Sequence, residues 1–172
     1  MKIADREPVY HEIEPVYNEK SKILILGSFP SVKSRENQFF YGHPRNRFWP
    51  VLAAILKVSV PVTISEKKAM LLDHGIGIWD VIASCRITGS SDTSIKDVIP
   101  NDLSVILKNS KINHIYVNGA TAWKLYNKYL AESTGIDAIK LPSTSPANAA
   151  FSLEKLIEDW KVINEDGMLT KL

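Results

Sequence analysis

Lys22-Ile23-Leu24-Ile25-Leu26-Gly27-Ser28 is a short apolar run, partly β-branched and closed by glycine. A half-exposed strand would alternate apolar with polar residues, whereas this run is apolar throughout, as in a strand buried on both faces of a parallel sheet. Three further segments fit as partners for it: Ile76 to Ile82, His114-Ile115-Tyr116-Val117-Asn118-Gly119, and Ile136 to Leu141.

Helical patterns fall between these strands. Phe48, Leu52, Ile55 and Leu56 recur at helical spacing, with Pro50 in the first turn, where a missing N–H costs little. Thr63-Ile64-Ser65-Glu66 has the spacing of a capping box, and the helix it opens can stop at Gly75. Asp102 can cap a short helix holding Leu103, Ile106 and Leu107. Ala120 to Ala131 reads as a helix, and Ser152 caps one in which Leu153, Leu156, Ile157 and Trp160 share a face. The order β-α-β-α-β-α-β-α predicts an α/β fold in three layers, with a central four-stranded parallel sheet covered by helices on both sides. Residues 1–20, with Pro8 and Pro15, read as an extended lead-in to one domain spanning 1–172, with a loop through Gly89 and Asp92.

Composition narrows the function classes. The chain has 172 residues, 45% hydrophobic and 23% charged, with a formal charge of +2. That suits one soluble core, and a monomer is expected. No run approaches a membrane span, and the start lacks the apolar stretch of a secretory signal, so a cytoplasmic protein is expected. A single cysteine, Cys85, cannot form an internal disulfide or an iron–sulfur ligand set. His11, His43, His74 and His114 lack metal-ligand spacing, and neither metal nor cofactor is expected.

Sheets of this class gather their sites at the carboxyl ends of the strands. The loops after Gly27 and Asn118 and the segment from Pro142 to Phe151 should meet there. In the first loop Phe39, Phe40 and Tyr41 interleave with Lys33, Arg35, Arg45 and Arg47. Rings for stacking beside cations for phosphate suit a nucleic acid; the same residues could also cover the sheet and be solvated.

The order of motifs decides between these. Gly27-Ser28-Phe29-Pro30-Ser31, followed by Asn37-Gln38-Phe39-Phe40-Tyr41-Gly42-His43-Pro44-Arg45-Asn46-Arg47-Phe48-Trp49, resembles the first motif region of the uracil-DNA glycosylase superfamily. The likeness is greatest to the hypoxanthine-DNA (deoxyinosine) glycosylase family. Trp79-Asp80-Val81-Ile82, Gly89-Ser90-Ser91-Asp92, Val117-Asn118-Gly119 and Leu141-Pro142-Ser143-Thr144-Ser145-Pro146-Ala147-Asn148 follow in that family's order. The resemblance implies a uracil-DNA glycosylase-like fold and a monofunctional DNA glycosylase of base excision repair. Its partner would be DNA carrying a deaminated base, hypoxanthine or also uracil, rotated out of the helix. A mismatch-specific uracil-DNA glycosylase, or a non-catalytic nucleic-acid-binding domain of the same fold, are the alternatives.

The resemblance also suggests roles. Asn46 is the first candidate for the catalytic residue that holds water, although it also fits a cap for the helix at Phe48; Asn37 is the second. Gly27, Ser28, Phe29, Phe40 and Asn118 are candidates for base binding, with Phe40 as stacking wall and Asn118 as reader of the base edge. Pro30, Ser31, Lys33, Arg45, Ser143, Ser145 and Asn148 are candidates for contacting the DNA strand. Ala147 to Phe151 is the expected wedge region. Ser28 and Phe29 stand where the superfamily commonly has an Asp or Asn, and the histidine that often opens the second motif is missing before Pro142. Asp80 and Asp92 are expected to order the loop holding Arg86, and Trp79 and Trp160 to pack.

Overall fold

The computed structural model describes residues 7–165 and 169; the first residues of the lead-in, 1–6, lie outside that range. The apolar run from Lys22 to Ser28 forms β2 (Ile23–Gly27), preceded by the short strand β1 (Val9–Tyr10). Ile23, Leu24, Ile25 and Leu26 are all fully buried, each contributing about 1.5–3 kcal/mol of apolar transfer. After β2 come α1 (Val32–Asn37), α2 (Phe48–Leu56), α3 (Ile64–Asp73), β3 (Ile76–Asp80) and β4 (Ile82–Arg86). A 3-10 turn at Asp92–Ser94, β5 (Lys96–Pro100), α4 (Ser104–Lys108), β6 (His114–Asn118) and α5 (Ala120–Tyr129) follow, then α6 (Ala131–Thr134), β7 (Ala138–Leu141) and α7 (Leu153–Trp160).

Four strands form a wholly parallel sheet in the order β3-β2-β6-β7, as expected. Alternate residues of β2 serve opposite faces. Ile23 and Ile25 pack with Phe48, Leu52, Leu71, Leu156 and Trp160, while Leu24 and Leu26 pack with Ile106, Ala122 and Tyr126. Helices thus cover both sides and give three layers. Thr63 Oγ1 and Ser152 Oγ cap α3 and α7 by accepting the Glu66 and Lys155 N–H groups. The helix read over Ala120 to Ala131 breaks at Leu130 into α5 and α6.

Two expectations need correction. Ile76 to Ile82 is not one strand: the chain turns at Val81, and β4 leaves to form a second, antiparallel sheet in the order β1-β4-β5. Buried Asn101 fixes that turn, its Nδ2 donating to the carbonyls of Asp80 and Ile82. The lead-in is also more than a connection. Val9 and Tyr10 pair with β4, and Val16 exchanges backbone hydrogen bonds with Ile78. Among the described residues, no helix is long and apolar enough to cross a membrane.

Candidate active site

The carboxyl ends of β2, β3, β6 and β7 present Gly27, Asp80, Asn118 and the segment after Leu141 to one cleft. Its cavity measures about 420 Å³, large enough for a nucleobase and part of its sugar. Gly27 is required by close approach: a Cβ there would lie 2.5 Å from Asp80 Oδ1 and 3.2 Å from the Tyr41 hydroxyl. Gly119, at a φ of +97°, lets the chain leave β6 beside Ser143.

A line of polar side chains crosses the cleft from β6 to the start of α2. Asn118 Oδ1 accepts the Thr144 N–H at 3.1 Å, and Asn118 Nδ2 donates to Thr144 Oγ1 at 3.0 Å. Thr144 Oγ1 in turn donates to Asn46 Oδ1 at 2.8 Å. Asn46 Oδ1 also accepts the Phe48 N–H at 2.9 Å, so the residue supports the helix start although the cap position itself falls on Arg47. Both acceptor sites of Asn46 Oδ1 are therefore filled, and only its Nδ2 donors are left for a ligand. Thr144 is completely buried.

Arg47 fixes the last wall. Its guanidinium donates to the carbonyls of Ser145 and Asn148, each at 3.0 Å, and to that of Phe151, while its backbone N–H donates to Thr144 O. A planar fork suits three carbonyls of one loop better than a lysine would.

The floor holds a buried pair contributed by the lead-in. His11 Nε2 lies 2.8 Å from Asp80 Oδ2, both side chains being nearly inaccessible. The Ile13 N–H donates to His11 Nδ1 at 3.3 Å, so the neutral imidazole carries its proton on Nε2 and donates it to Asp80. Phe29, Phe40 and Trp79 surround the imidazole, each ring centroid 6.0 Å away. Tyr41 stacks on Phe48 at 3.8 Å, and its backbone is held in the left-handed region at a φ of 52°. Its hydroxyl is closed off from solvent and has no hydrogen-bond partner of normal geometry. Burial first, then the Asp80 charge, pushes the phenol far above its ordinary value against a lesser opposing effect of Asn118, and it stays protonated.

Of the candidate residues, Gly27, Ser28, Phe29, Pro30, Ser31, Phe40, Asn46, Asn118, Ser143 and Ser145 line the cavity. Asn37 stands apart from it, exposed at the end of α1 with its amide against Gly42. Lys33 is exposed and 3.6 Å from Glu36, and Arg45 is exposed beside His43. Asn148 serves its own loop, its Nδ2 donating to Ser143 O. Ser28 Oγ reaches Asp92 Oδ1 at 3.4 Å. The expectation that Asp80 and Asp92 order the loop around Arg86 needs correction for Asp80, which turns to His11 on the floor, while Arg86 pairs with Asp97 at 3.1 Å. Trp160 packs as expected, its Nε1 donating to Pro142 O. Sequence assigned His11 and Thr144 no role in the site, and offered Tyr41 and Arg47 only as one ring and one cation of the first loop. Their partners are distant along the chain, and only the apolar company of His11 and the place of Tyr41 directly after Phe39 and Phe40 hinted at burial. Among the described residues, no group of three or more His, Cys, Asp or Glu side chains could hold a metal ion.

Residues 14–166 match the Uracil DNA glycosylase superfamily. The chain is 35% identical over 150 residues to a protein of Methanosarcina acetivorans named hypoxanthine DNA glycosylase, covering 86% of this chain and 93% of that one. It is 37% identical over 93 residues to a Methanosarcina barkeri protein of the same name, covering 54% and 59%. A solution NMR structure of a candidate uracil DNA glycosylase from Methanosarcina acetivorans superposes with a TM-score of 0.74 at 31% identity, covering 88% of this chain and 96% of that one.

Proposed function

The chain belongs to the uracil DNA glycosylase superfamily, and from that membership we propose that it excises a deaminated base, hypoxanthine or also uracil, from DNA as a monofunctional glycosylase. The observation that carries this reading is the hydrogen-bonded line Asn118–Thr144–Asn46, which fixes two amides side by side in the lining of one base-sized cavity.

In the reaction the N-glycosidic bond breaks and the base leaves with the bonding electrons. Water adds to the sugar carbon, and its proton ends on the base or in solvent. Positive charge grows on the sugar and negative charge on the base, so fixed dipoles do much of the work. Asn118 keeps one N–H and one lone pair beyond its bonds to Thr144, enough to meet a lactam edge. Asn46 can hold water or a sugar oxygen by donation but cannot accept a proton, because its oxygen is occupied twice. Water placement by Asn46 is thus orientation without base catalysis, which a dissociative reaction tolerates. The segment 145–151, clamped by Arg47, is suited to the strand and to filling the gap that the rotated base leaves. No lysine lines the cavity among the described residues, which supports hydrolysis without a Schiff base or strand cleavage.

Duplexes carrying inosine, uracil or xanthine, incubated with the protein and then treated with alkali, test this reading. Alkali-dependent cleavage at inosine is expected. Binding to such duplexes with no cleavage of any would overturn the enzyme and leave a DNA-binding domain.

A further inference from the structure

Deamination inverts one edge of a base. Adenine presents an amino donor beside the N1 acceptor, whereas hypoxanthine presents the O6 acceptor beside an N1–H donor; cytosine and uracil differ in the same way at N4 and N3. A site that tells the products from their parents needs a donor and an acceptor, each fixed against turning round. Amide side chains alone do not guarantee this, because an amide can rotate to present its other end.

The cleft floor contains such a pair. Asp80 Oδ1 and the Tyr41 hydroxyl converge over Gly27, at 2.5 Å and 3.2 Å from the point where a side chain of residue 27 would begin. Both residues line the cavity. His11 occupies Asp80 Oδ2 as a donor, and its own tautomer is set by the Ile13 N–H, so Oδ1 is left as an acceptor. Tyr41 is the complement, a phenol whose hydroxyl is buried near the Asn118 amide but makes no hydrogen bond of normal geometry. Buried polar atoms are almost always satisfied, and one that is not calls for a reason. A carbonyl arriving with a ligand supplies it.

We propose that Asp80 and Tyr41 form a second edge reader, the carboxylate accepting the imino N–H that deamination creates and the phenol donating to the adjacent carbonyl, with His11 as the positioning residue. This rests on the glycosylase reading above and names its selectivity. Adenine or cytosine would set a ring-nitrogen lone pair against the carboxylate and an amino group against the phenol. Sites built to hydrogen-bond a group reject an analogue that lacks it far more strongly than apolar pockets reject a change of size. Guanine shares the lactam edge, so the pair separates deaminated bases from adenine and cytosine and leaves guanine to pocket shape.

The test uses duplexes with 2′-fluoroarabino-inosine or 2′-fluoroarabino-adenosine, in which the fluorine blocks cleavage, so that affinity is read without turnover. The full chain should bind the inosine duplex at least tenfold more tightly than the adenosine duplex. Asp80→Asn should bring that ratio to within threefold of unity. Tyr41→Phe keeps the ring stacked on Phe48, removes only the unpartnered hydroxyl and so should fold; it should weaken inosine binding about tenfold and leave adenosine binding unchanged. A wild-type ratio near unity overturns the proposal, and so does a Tyr41→Phe protein that binds inosine as the wild type does. If Asp80→Asn does not fold, Tyr41→Phe decides alone. Cleavage of an ordinary inosine duplex, measured alongside, separates the two readings: cleavage without the binding ratio sinks only the edge reader, and the ratio without cleavage sinks only the enzyme.

Discussion

Thr144 Oγ1 donates to Asn46 Oδ1 while accepting from Asn118 Nδ2, so one buried hydroxyl sets the orientation of both cleft amides. Thr144→Val keeps the shape and removes both bonds. One such bond contributes about 1 kcal/mol, and a loss of that size in the transition state is roughly a tenfold fall in turnover. Steady-state cleavage of an inosine duplex by Thr144→Val should show it, with the melting temperature lowered by only a few degrees. Unchanged turnover would mean that the amides hold their places without the bridge.

Asn46→Ala removes the acceptor for the Phe48 N–H together with the free Nδ2 donors. The first loss should cost about 1 kcal/mol of stability. The second should lower turnover at least tenfold at saturating substrate in a protein that still melts cooperatively. A variant that is merely less stable would leave Asn46 as a support for the helix start.

Arg47→Lys preserves charge but cannot reproduce a planar fork over Ser145, Asn148 and Phe151. Limited proteolysis should cut within 145–151 severalfold faster than in the wild type. KM for duplex should rise more than kcat falls, because the loop is assigned to the strand and not to the bond being broken. Protection equal to that of the wild type would count against the clamp.

Cys85 is fully buried, and burial pushes its thiol up from 9.0 to about 11, with the Arg35 charge opposing. The native protein should resist a disulfide reagent at pH 8 and react with one equivalent on unfolding. The sign of the stability effect follows: between pH 9 and 11 the unfolded thiol loses its proton before the folded one. Stability should therefore fall with rising pH in that window, and Cys85→Ala should lack this component.

The sequence revealed the fold to the degree that its signals were local. The run Ile23 to Leu26, the glycines that end strands and the Thr63 and Ser152 caps each act within a few residues, and each is where it was expected. The second sheet escaped notice because β5 is short, has no buried residue and opens on Lys96-Asp97, and because the turn at Val81 is held by Asn101, twenty residues on. The site divides in the same way. Gly27, Asn46 and Asn118 sit beside strand ends or helix starts and could be found in sequence. His11 with Asp80, Arg47 with Phe151 and Thr144 with Asn46 are joined only by the fold, across 69, 104 and 98 residues. Asn37 and Arg45 had the right residue types in the right loop, but α1 and the turn at His43 point them to solvent.

The pairing of His11 with Asp80 bears on how the protein comes into being. During synthesis His11 emerges 69 residues ahead of its partner, and β1 emerges well before the β4 it must pair with. The earliest segment of the cleft therefore has nothing to dock on until β3 and β4 exist. A nascent chain arrested after α2 would hold Gly27 and Tyr41 but no floor beneath them. The pocket becomes competent only when Asn118 and the Thr144 segment have also emerged and the first strand has folded back.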